Sequence, residues 1–268
     1  MRESGIGKQE TGTQASQGTL RHNNHHPPPT AKTSIILPTY KERDNIVELV
    51  QAIHQHLGAE GFDYEVVVVD DNSPDGTAEV VRAVFGDNGR VKLHVRTQER
   101  GLATALRYGA EHSAGEVLVF MDTDFNHDPA MIPQLVKFLE YYDVVIGSRF
   151  VMRGGMEDPA RYVFSFVYNL GLRFLFGTRV WDNLSGFFAI YRDKLLELDL
   201  DQIFYGYGDY FIRLLVVGWR RGWRMVEVPV FYRLRVHGHS KTQFLGIFGQ
   251  YTTAILKLRL KLWMGRMR

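Results

Sequence analysis

The chain has 268 residues, 45% hydrophobic and 23% charged, which is enough to bury a sizeable core in one large domain or two small ones. It contains no cysteine, which excludes disulfide bonds, thiolate metal sites and cysteine nucleophiles. The formal net charge of +2 hides an asymmetry, because residues 210–268 carry twelve Lys and Arg against one acid, Glu227. This basic end favours an anionic partner: a nucleic acid, a nucleotide or an anionic membrane surface.

The first 32 residues are rich in Gly, Gln, Thr, His and Pro and hold few large apolar side chains. Such a segment cannot bury enough surface to offset the entropy lost on ordering, so residues 1–32 are predicted to form a disordered tail. The tail also lacks the apolar core of a secretory signal.

From residue 33 onward, β-branched apolar runs alternate with stretches of helical periodicity. The pattern predicts strands at 33–40, 64–69, 91–95, 117–121 and 142–150, and helices at 42–57, 77–85 and 101–113. Alternating strand and helix units of this length indicate an α/β fold, in which a mostly parallel sheet is covered by helices on both faces.

The apolar run at 117–121 ends in two alternating carboxylates, Asp122 and Asp124. Successive strand residues point to opposite faces, so the two side chains project the same way if the strand geometry persists. Carboxylate oxygens of this kind suit Mg²⁺ or Mn²⁺ carrying a phosphate. On these residues alone, a polar turn after a strand is an equal alternative.

In sheets of this class, ligands bind beyond the carboxyl ends of the strands. The topology therefore predicts one cleft lined by segments 38–42, 70–77 and 122–126, with Arg149 placed to meet a phosphate or to pair with an acid. An acidic cleft requires a divalent cation if its ligand is an anion, and it argues against nucleic acid as the partner. No glycine-rich dinucleotide loop or P-loop lysine pattern is found in the sequence.

Two further helices each leave an alternative open. Tyr162, Phe166, Leu170 and Phe174 mark a stripe within 153–177, which predicts a core-facing helix or one lying at a membrane interface. Residues 244–268 combine an apolar stripe with basic side chains, which predicts either an interfacial anchor on anionic lipid or a helix packed on the domain or on a partner subunit. No run approaches about 18 uninterrupted apolar residues, so no transmembrane helix is expected.

Six motifs follow one another in a specific order along residues 33–243. They are Leu-Pro-Thr-Tyr-Lys-Glu-Arg-Asp-Asn at 37–45, Val-Asp-Asp-Asn-Ser-Pro-Asp-Gly-Thr at 69–77, Arg-Gly-Leu-Ala-Thr-Ala at 100–105, Met-Asp-Thr-Asp-Phe-Asn-His-Asp-Pro at 121–129, Ile-Gly-Ser-Arg-Phe at 146–150 and Arg-Val-His-Gly-His-Ser-Lys at 235–241. Together they resemble the inverting glycosyltransferases of family 2, which have the GT-A fold. Within that family, the pattern is similar to the polyprenyl-phosphate sugar transferases of the dolichol-phosphate mannosyltransferase type.

The resemblance implies a nucleotide-sugar donor, GDP-mannose before others, and a polyprenyl or dolichyl phosphate acceptor. It assigns catalytic roles to Asp122, Asp124 and Arg149, and a Mg²⁺ or Mn²⁺ site to Asp122, Asp124 and Asn126, the last standing where relatives often carry Gln. The implied nucleotide-sugar site comprises Pro38, Tyr40, Glu42, Asp70, Asp71, Asp122, Thr123, Asp124, Asn126, Arg149, Arg235 and Lys241.

Two segments bear on the acceptor side of this resemblance. Residues 205–211 depart from the Gly-Tyr-x-Phe-Gln-x-Glu pattern of relatives, so Asp209 only approximately replaces an acceptor-site polar group. Residues 181–192 resemble the acceptor-side loop of the family, with a plain helix-to-strand connection as the alternative.

The chemistry agrees with this set of residues. A phosphate oxygen is already a competent nucleophile at neutral pH, so the main demand is to stabilise the departing diphosphate, which a metal with Arg and Lys can meet. We therefore expect inversion at the anomeric carbon, with the Asp residues binding rather than abstracting protons. Open alternatives are a UDP-sugar donor, a saccharide or protein acceptor, and a non-catalytic nucleotide-sugar-binding subunit. The expected location is cytoplasmic, peripheral at the cytoplasmic face of a membrane, with a membrane-anchoring partner subunit as a further candidate.

Overall fold

The computed structural model describes Met1, residues 31–233 and residues 244–264. Arg235 and Lys241, two of the predicted site residues, lie outside the described residues, as do residues 2–30 of the predicted tail. The predicted division into a tail at 1–32, a catalytic domain at 33–243 and a carboxyl-terminal helix at 244–268 stays a prediction.

The described ranges contain nine strands and nine α-helices, with a short 3₁₀ turn at Pro129–Met131, and strands alternate with helices from residue 33 to residue 120. The strands are β1 Thr33–Thr39, β2 Tyr64–Asp70, β3 Val91–Val95, β4 Val117–Phe120, β5 Val144–Ser148, β6 Gly155–Met156, β7 Phe188–Tyr191, β8 Met225–Pro229 and β9 Phe231–Tyr232. The helices are α1 Arg43–Ala59, α2 Thr77–Phe85, α3 Leu102–Glu111, α4 Ile132–Phe138, α5 Pro159–Phe176, α6 Arg192–Leu196, α7 Leu200–Ile203, α8 Asp209–Arg220 and α9 Phe244–Trp263.

Seven strands form one sheet in the order β3-β2-β1-β4-β7-β5-β8. All neighbouring pairs run parallel except those made by β7, which is antiparallel to both β4 and β5. The predicted mostly parallel sheet is thus confirmed. Strand β7 was not predicted as a strand: its four residues lie inside the segment interpreted as the acceptor-side loop, and so short an apolar run carries little periodic signal.

Helices cover both faces of the sheet, and each central strand contributes alternate residues to two cores. In β1, Ile35 and Leu37 pack into the core under α1, whereas Ile36 packs into the core under α3 and α8. On the second side, the backbone of Gly109 in α3 comes so close to Ile36 that any larger side chain would collide with it. Packing on both faces thus fixes the strands, which positions the loops that follow them.

The buried face of α5 differs from the predicted stripe. Ser165, Asn169 and Leu172 are the residues of α5 that are buried, whereas Leu170 is 51% exposed and Phe174 93% exposed. The prediction of a core-facing stripe through Leu170 and Phe174 was therefore wrong. Apolar side chains occur on both faces of this helix, so periodicity could not choose between them; the choice follows from Asn169, whose amide oxygen accepts the backbone N–H of Asn183 at 2.7 Å.

Helix α9 packs on the domain through part of its predicted stripe. Ile255, Leu258 and Leu262 are buried in the same core as α8. Leu256, at 60%, and Trp263, at 83%, remain exposed on the other side of the helix. Among the described residues, no helix combines the length and apolarity needed to cross a membrane.

Candidate active site

The loops after β1 and β2 are joined at the carboxyl end of the sheet. The backbone N–H of Lys41 donates to Ser73 Oγ at 2.9 Å, and that of Glu42 donates to Thr77 Oγ1 at 3.1 Å. Lys41 itself adopts a left-handed backbone with φ of 60°, which lets the chain turn directly into α1. Segments 38–42 and 70–77 therefore lie side by side, as the topology predicted.

The third segment adjoins β1 as well. Thr123 is buried, and its hydroxyl donates to the backbone oxygen of Pro38 at 3.4 Å. This contact places the loop after β4 against the end of β1, so the structure brings the three predicted segments to one edge of the sheet.

Asp70 is completely buried and uses its carboxylate to build the loop. Oδ1 accepts the hydroxyls of Thr39 at 2.9 Å and Ser73 at 2.6 Å, and Oδ2 accepts the Ser73 backbone N–H at 2.8 Å. These bonds tie β1 to the turn after β2. Asp70 thus shapes the predicted nucleotide pocket from beneath.

Asp71 is 6% exposed and forms a buried ion pair with Arg96. Arg96 donates through Nε at 2.8 Å and also through Nη2, while the second carboxylate oxygen of Asp71 accepts the backbone N–H of Gly101 at 2.7 Å. Gly101 has φ of +135°, a conformation that a larger residue rarely adopts, and it opens α3. The carboxylate therefore fixes the start of α3 against the end of β2.

Two other predicted pocket residues lie closer to solvent. Tyr40 is 37% exposed, and its ring lies 5.6 Å from the Arg100 guanidinium. Glu42 accepts a hydrogen bond from the Asn45 side-chain amide at 2.8 Å. The predicted role of these two residues in binding a nucleoside stays a prediction.

The loop after β4 carries the predicted metal ligands. Asp124 is buried, and its carboxylate accepts the backbone N–H of Asn126 at 3.1 Å and the Asn126 side-chain amide at 2.9 Å. The Asp122 side chain, in contrast, is 47% exposed. Strand β4 ends at Phe120, two residues before Asp122, so the strand geometry on which the prediction of parallel side chains depended does not reach the two carboxylates. Phe125, directly after Asp124, has φ of 62° and turns the chain again.

His127 is a residue of this loop to which sequence reasoning gave no role. Its ring is 1% exposed; Nδ1 accepts the backbone N–H of Asp122 at 2.8 Å, and Nε2 lies 2.9 Å from the Tyr232 hydroxyl. Burial lowers the pKa of His127 to about 4 and outweighs the Asp124 carboxylate, which raises it. The only sequence signal was a histidine inside a motif otherwise made of carboxylates and turn residues.

Arg149, predicted to meet a phosphate or to pair with an acid, is buried in a bidentate pair with Asp182. Nε and Nη2 donate to the two oxygens of Asp182 at 2.8 and 2.6 Å. Burial acts to lower the pKa of Arg149, but the adjacent Asp182 carboxylate outweighs it and raises that pKa. Asp182 is held in turn, because its backbone N–H donates to Glu227 at 2.9 Å. A role of Arg149 toward substrate phosphate stays a prediction.

Asp209, considered on the acceptor side, is also held by a cation. It pairs with the buried Arg213, and it accepts the backbone N–H of Tyr207 at 2.9 Å. Arg213 stacks on Tyr205 with 3.6 Å between the guanidinium and the ring centre. Asp209 therefore shapes the 205–209 loop instead of presenting a carboxylate to an acceptor.

A divalent cation fits the donor set of the loop after β4. Among the described residues, no three His, Cys, Asp or Glu side chains are grouped closely enough to hold a metal by themselves. Two carboxylates and an amide oxygen are nevertheless what Mg²⁺ or Mn²⁺ uses when substrate phosphates complete its coordination. The half-exposed carboxylate of Asp122 and the nearby Asp124 suit that arrangement.

The sequence profile of glycosyl transferase family 2 matches residues 34–198, more than half of the chain. The chain belongs to glycosyl transferase family 2. This confirms the family that the six motifs predicted.

Three relatives are similar over most of this chain. A dolichol-phosphate mannosyltransferase of Pyrococcus furiosus is 35% identical over 85% of this chain, which spans 63% of that relative's length. A polyprenol monophosphomannose synthase of Mycolicibacterium smegmatis is 32% identical over 88% of this chain and 87% of its own. An undecaprenyl-phosphate mannosyltransferase of Micrococcus luteus is 33% identical over 80% and 88%, respectively.

Solved structures agree on the fold. The glucosyl-3-phosphoglycerate synthase of Mycobacterium tuberculosis, in complex with Mn²⁺, UDP and glucosyl-3-phosphoglycerate, superposes with a TM-score of 0.65 and 23% identity, covering 85% of this chain and 80% of that one. The same synthase in complex with Mg²⁺ and UDP gives a TM-score of 0.65 at 22% identity, covering 85% and 79%. The predicted GT-A fold is confirmed.

Proposed function

We propose that this protein transfers a sugar from a nucleotide-sugar donor to a polyprenyl phosphate, with mannose from GDP-mannose as the first candidate. The observation that carries the proposal is the half-exposed Asp122 beside Asp124 at the carboxyl end of a family 2 sheet. The three relatives, each described as a mannosyltransferase or monophosphomannose synthase acting with a polyprenol, support the acceptor class and the sugar.

In this proposal, one side of the cleft binds the nucleoside and the other side binds the diphosphate. The pocket built by Asp70, Asp71 and the rim residue Tyr40 would hold the nucleoside, and Asp122 and Asp124 would hold the diphosphate together with Mg²⁺ or Mn²⁺. The bound cation would neutralise charge on the leaving diphosphate. The Asp residues bind and orient, because the acceptor phosphate needs no base to become a nucleophile.

The acceptor's lipid tail points to a membrane surface, and we propose peripheral association at the cytoplasmic face. Helix α5 exposes four apolar side chains at helical spacing: Val163, Val167, Leu170 and Phe174. Helix α9 lies beside it, since Tyr168 and Thr252 are within hydrogen-bond distance at 3.4 Å. It exposes Leu256, Leu260 and Trp263 next to basic residues 257 and 259. Apolar groups flanked by basic ones suit an anionic lipid surface. A membrane-anchoring partner subunit would use the same apolar surface.

A donor panel tests the reaction. GDP-mannose, UDP-glucose and UDP-GlcNAc are each supplied with a polyprenyl phosphate, with and without Mn²⁺, and lipid-linked product is measured. We expect metal-dependent product from GDP-mannose and little from the UDP-sugars. Nucleotide binding without turnover on any donor would instead indicate a non-catalytic subunit, and product on a saccharide alone would contradict the lipid acceptor.

Vesicle flotation tests the membrane proposal. Removing α9 is unsuitable, because Ile255, Leu258 and Leu262 belong to the core. Phe174→Ser is expected to lower recovery with anionic vesicles several-fold at unchanged thermal stability, because its ring is 93% exposed. Val84→Ser on α2, where the native side chain is 47% exposed, is the matched control and is expected to float like the wild type. Equal flotation of both variants would contradict the proposal that α5 contacts the membrane.

A further inference from the structure

A buried chain of hydrogen bonds runs beneath the loop that carries Asp122. The backbone N–H of Asp122 donates to His127 Nδ1 at 2.8 Å, and His127 Nε2 lies 2.9 Å from Tyr232 Oη. The Tyr232 hydroxyl donates to the backbone oxygen of Ser185 at 2.9 Å. His127, Tyr232 and Ser185 are 1%, 5% and 4% exposed, so water does not compete for these bonds.

The position of each proton in this chain follows from its neighbours. A backbone nitrogen only donates, so His127 Nδ1 must accept, and the neutral ring carries its proton on Nε2. The Nε2 proton is donated to the Tyr232 hydroxyl oxygen, and the single hydroxyl proton of Tyr232 is donated to the backbone oxygen of Ser185. The Ser185 Oγ also lies 2.9 Å from the Tyr232 hydroxyl. Ser185 Oγ donates onward to the backbone oxygen of Gly147 at 2.5 Å. The chain therefore has one consistent arrangement, leading from the loop after β4 to β5.

Packing holds both rings in place. The ring of His127 stacks on Phe187 with 4.8 Å between centres and an interplanar angle of 10°. The Arg149 guanidinium lies 4.7 Å from the centre of the Tyr232 ring, and Arg149 is itself fixed by Asp182. Neither ring can turn away without disturbing the core on the β5 side of the cleft.

Two contacts tie the loop after β4 to other elements of the sheet: the Thr123 hydroxyl donates to Pro38 at the end of β1, and the Asp122 backbone N–H donates to His127. The bonds between Asp124 and Asn126 span two residues, so they set the local shape of the loop but not its orientation on the sheet. The chain through His127 and Tyr232 connects the main chain at Asp122 to residues 185 and 147, on the loop before β7 and on β5. It therefore holds the main chain from which the Asp122 side chain extends, and His127 Nε2 also lies 4.0 Å from the Asp122 carboxylate.

We propose that His127 and Tyr232 are positioning residues that hold Asp122 in the orientation needed to bind the cation and diphosphate of the donor. This rests on the proposed function, since it assigns a task to residues behind that site. Hydrogen-bonded groups behind metal ligands typically change metal affinity or activity by about 10- to 100-fold when removed.

Tyr232→Phe is the main test, because it removes one hydroxyl and keeps the ring between His127 and Arg149. Tyr191→Phe is the matched control: Tyr191 is equally buried at 5%, and its hydroxyl donates to the backbone oxygen of Leu139 at 2.7 Å, at the opposite edge of the sheet. Mn²⁺ affinity in the presence of GDP is measured by electron paramagnetic resonance, alongside kcat, KM and Tm.

We expect Tyr232→Phe to weaken Mn²⁺ binding and lower kcat by about 10-fold or more, and Tyr191→Phe to leave both unchanged at a similar loss of Tm. Histidine ¹⁵N spectra of the wild type should show His127 protonated at Nε2, and that signal should shift in Tyr232→Phe. His127→Phe is expected to lower Mn²⁺ affinity further, and His127→Asn, which keeps an acceptor, to restore part of it.

Equal losses of Mn²⁺ affinity in Tyr232→Phe and Tyr191→Phe, or none in either, would overturn the positioning role alone. The same holds for a His127 ring protonated at Nδ1. A wild-type protein that neither binds Mn²⁺ with GDP nor turns over would overturn the proposed function, and with it the task assigned to these residues.

Discussion

The two acidic pairs at the carboxyl end of the sheet look alike in the sequence and differ in the fold. Asp70 and Asp71 are both buried, and their oxygens accept hydrogen bonds from groups that build the cleft: Thr39, Ser73, Arg96 and Gly101. In the second pair, Asp124 is buried in a local turn while the Asp122 side chain is 47% exposed.

The difference shows that acidic residues at the same edge of the sheet have two tasks: some hold the loops together, and others present a carboxylate to the cleft. A carboxylate is costly to bury, so it must be paired or fully hydrogen-bonded, and a carboxylate used in this way is fixed in place. Asp71 stabilises the start of α3 on these terms. Asp122 is held through its backbone N–H, which His127 accepts, and its side chain remains half exposed at the cleft.

The largest expected effect is a loss of turnover and concerns Asp122, from the second pair. Asp122→Asn should lower turnover about 10³-fold or more, because loss of a metal-bound charge at the leaving group costs several kcal/mol. Stability should change by less than about 1 kcal/mol, since the side chain is half exposed. Initial rates at saturating donor and denaturant unfolding check this prediction. Asp193→Asn, at an exposed position on α6, is the control and should change neither. Wild-type rates in Asp122→Asn would refute the assignment.

The next effect is on stability and concerns the first pair. Asp71→Asn removes the buried ionic partner of Arg96, whose side chain is 5% exposed, and leaves it only the exposed Glu99 carboxylate at 3.6 Å, which should cost about 3 kcal/mol. Urea unfolding at pH 7 measures it. Glu79→Gln breaks the exposed pair with Arg82 and should cost less than about 1 kcal/mol. If Asp71→Asn proved as stable as Glu79→Gln, the structural reading of the first pair would fail.

A fifth acid, Glu65, extends the comparison to the opposite edge of the sheet. Burial acts to raise its pKa, but the side-chain bonds of Lys92, Ser34 and Lys32 and the backbone N–H of Ala114 outweigh burial and lower the pKa to about 2. Because this pKa lies below the unfolded value of 4.5, the stabilisation is complete above pH 4.5 and is lost as the pH falls toward 2.

Glu65→Gln should therefore cost about 2 kcal/mol at pH 7, and its stability difference from the wild type should shrink between pH 4.5 and pH 2. Unfolding curves at pH 7, 4.5 and 3 measure this, with Glu79→Gln as the exposed control. A difference that stayed constant over this range would show that the ionised form of Glu65 is not what the site stabilises.

Much of the fold could be predicted because its signals are local. The helix at Thr77–Phe85 and the strand at Val91–Val95 have the predicted bounds, since apolar periodicity and turn residues mark both ends. The family was predictable from the order of six motifs. The buried face of α5 was not predictable, because apolar residues on every side of a helix do not show which side is buried. The strand β7 was not predictable, because a run of four apolar residues is too short to show a strand period.

For the candidate site, too, one part was predictable from the sequence and another was not. Its position followed from the rule that ligands bind beyond the carboxyl ends of parallel strands, and three predicted segments do meet there. The hydrogen-bond and ion-pair partners of the site residues could not be predicted from the sequence. Asp182 lies 33 residues from Arg149, and Tyr232 lies 105 residues from His127, so nothing in the local pattern of either residue indicates the other.

By itself, the sequence determined the α/β class, the sheet edge that carries the cleft and the carboxylates available there, because each depends on neighbours in the chain. Only the tertiary structure decided which carboxylates build the cleft and which one reaches into it. Burial and pairing settle that question, and both depend on residues that the chain brings together from distant positions.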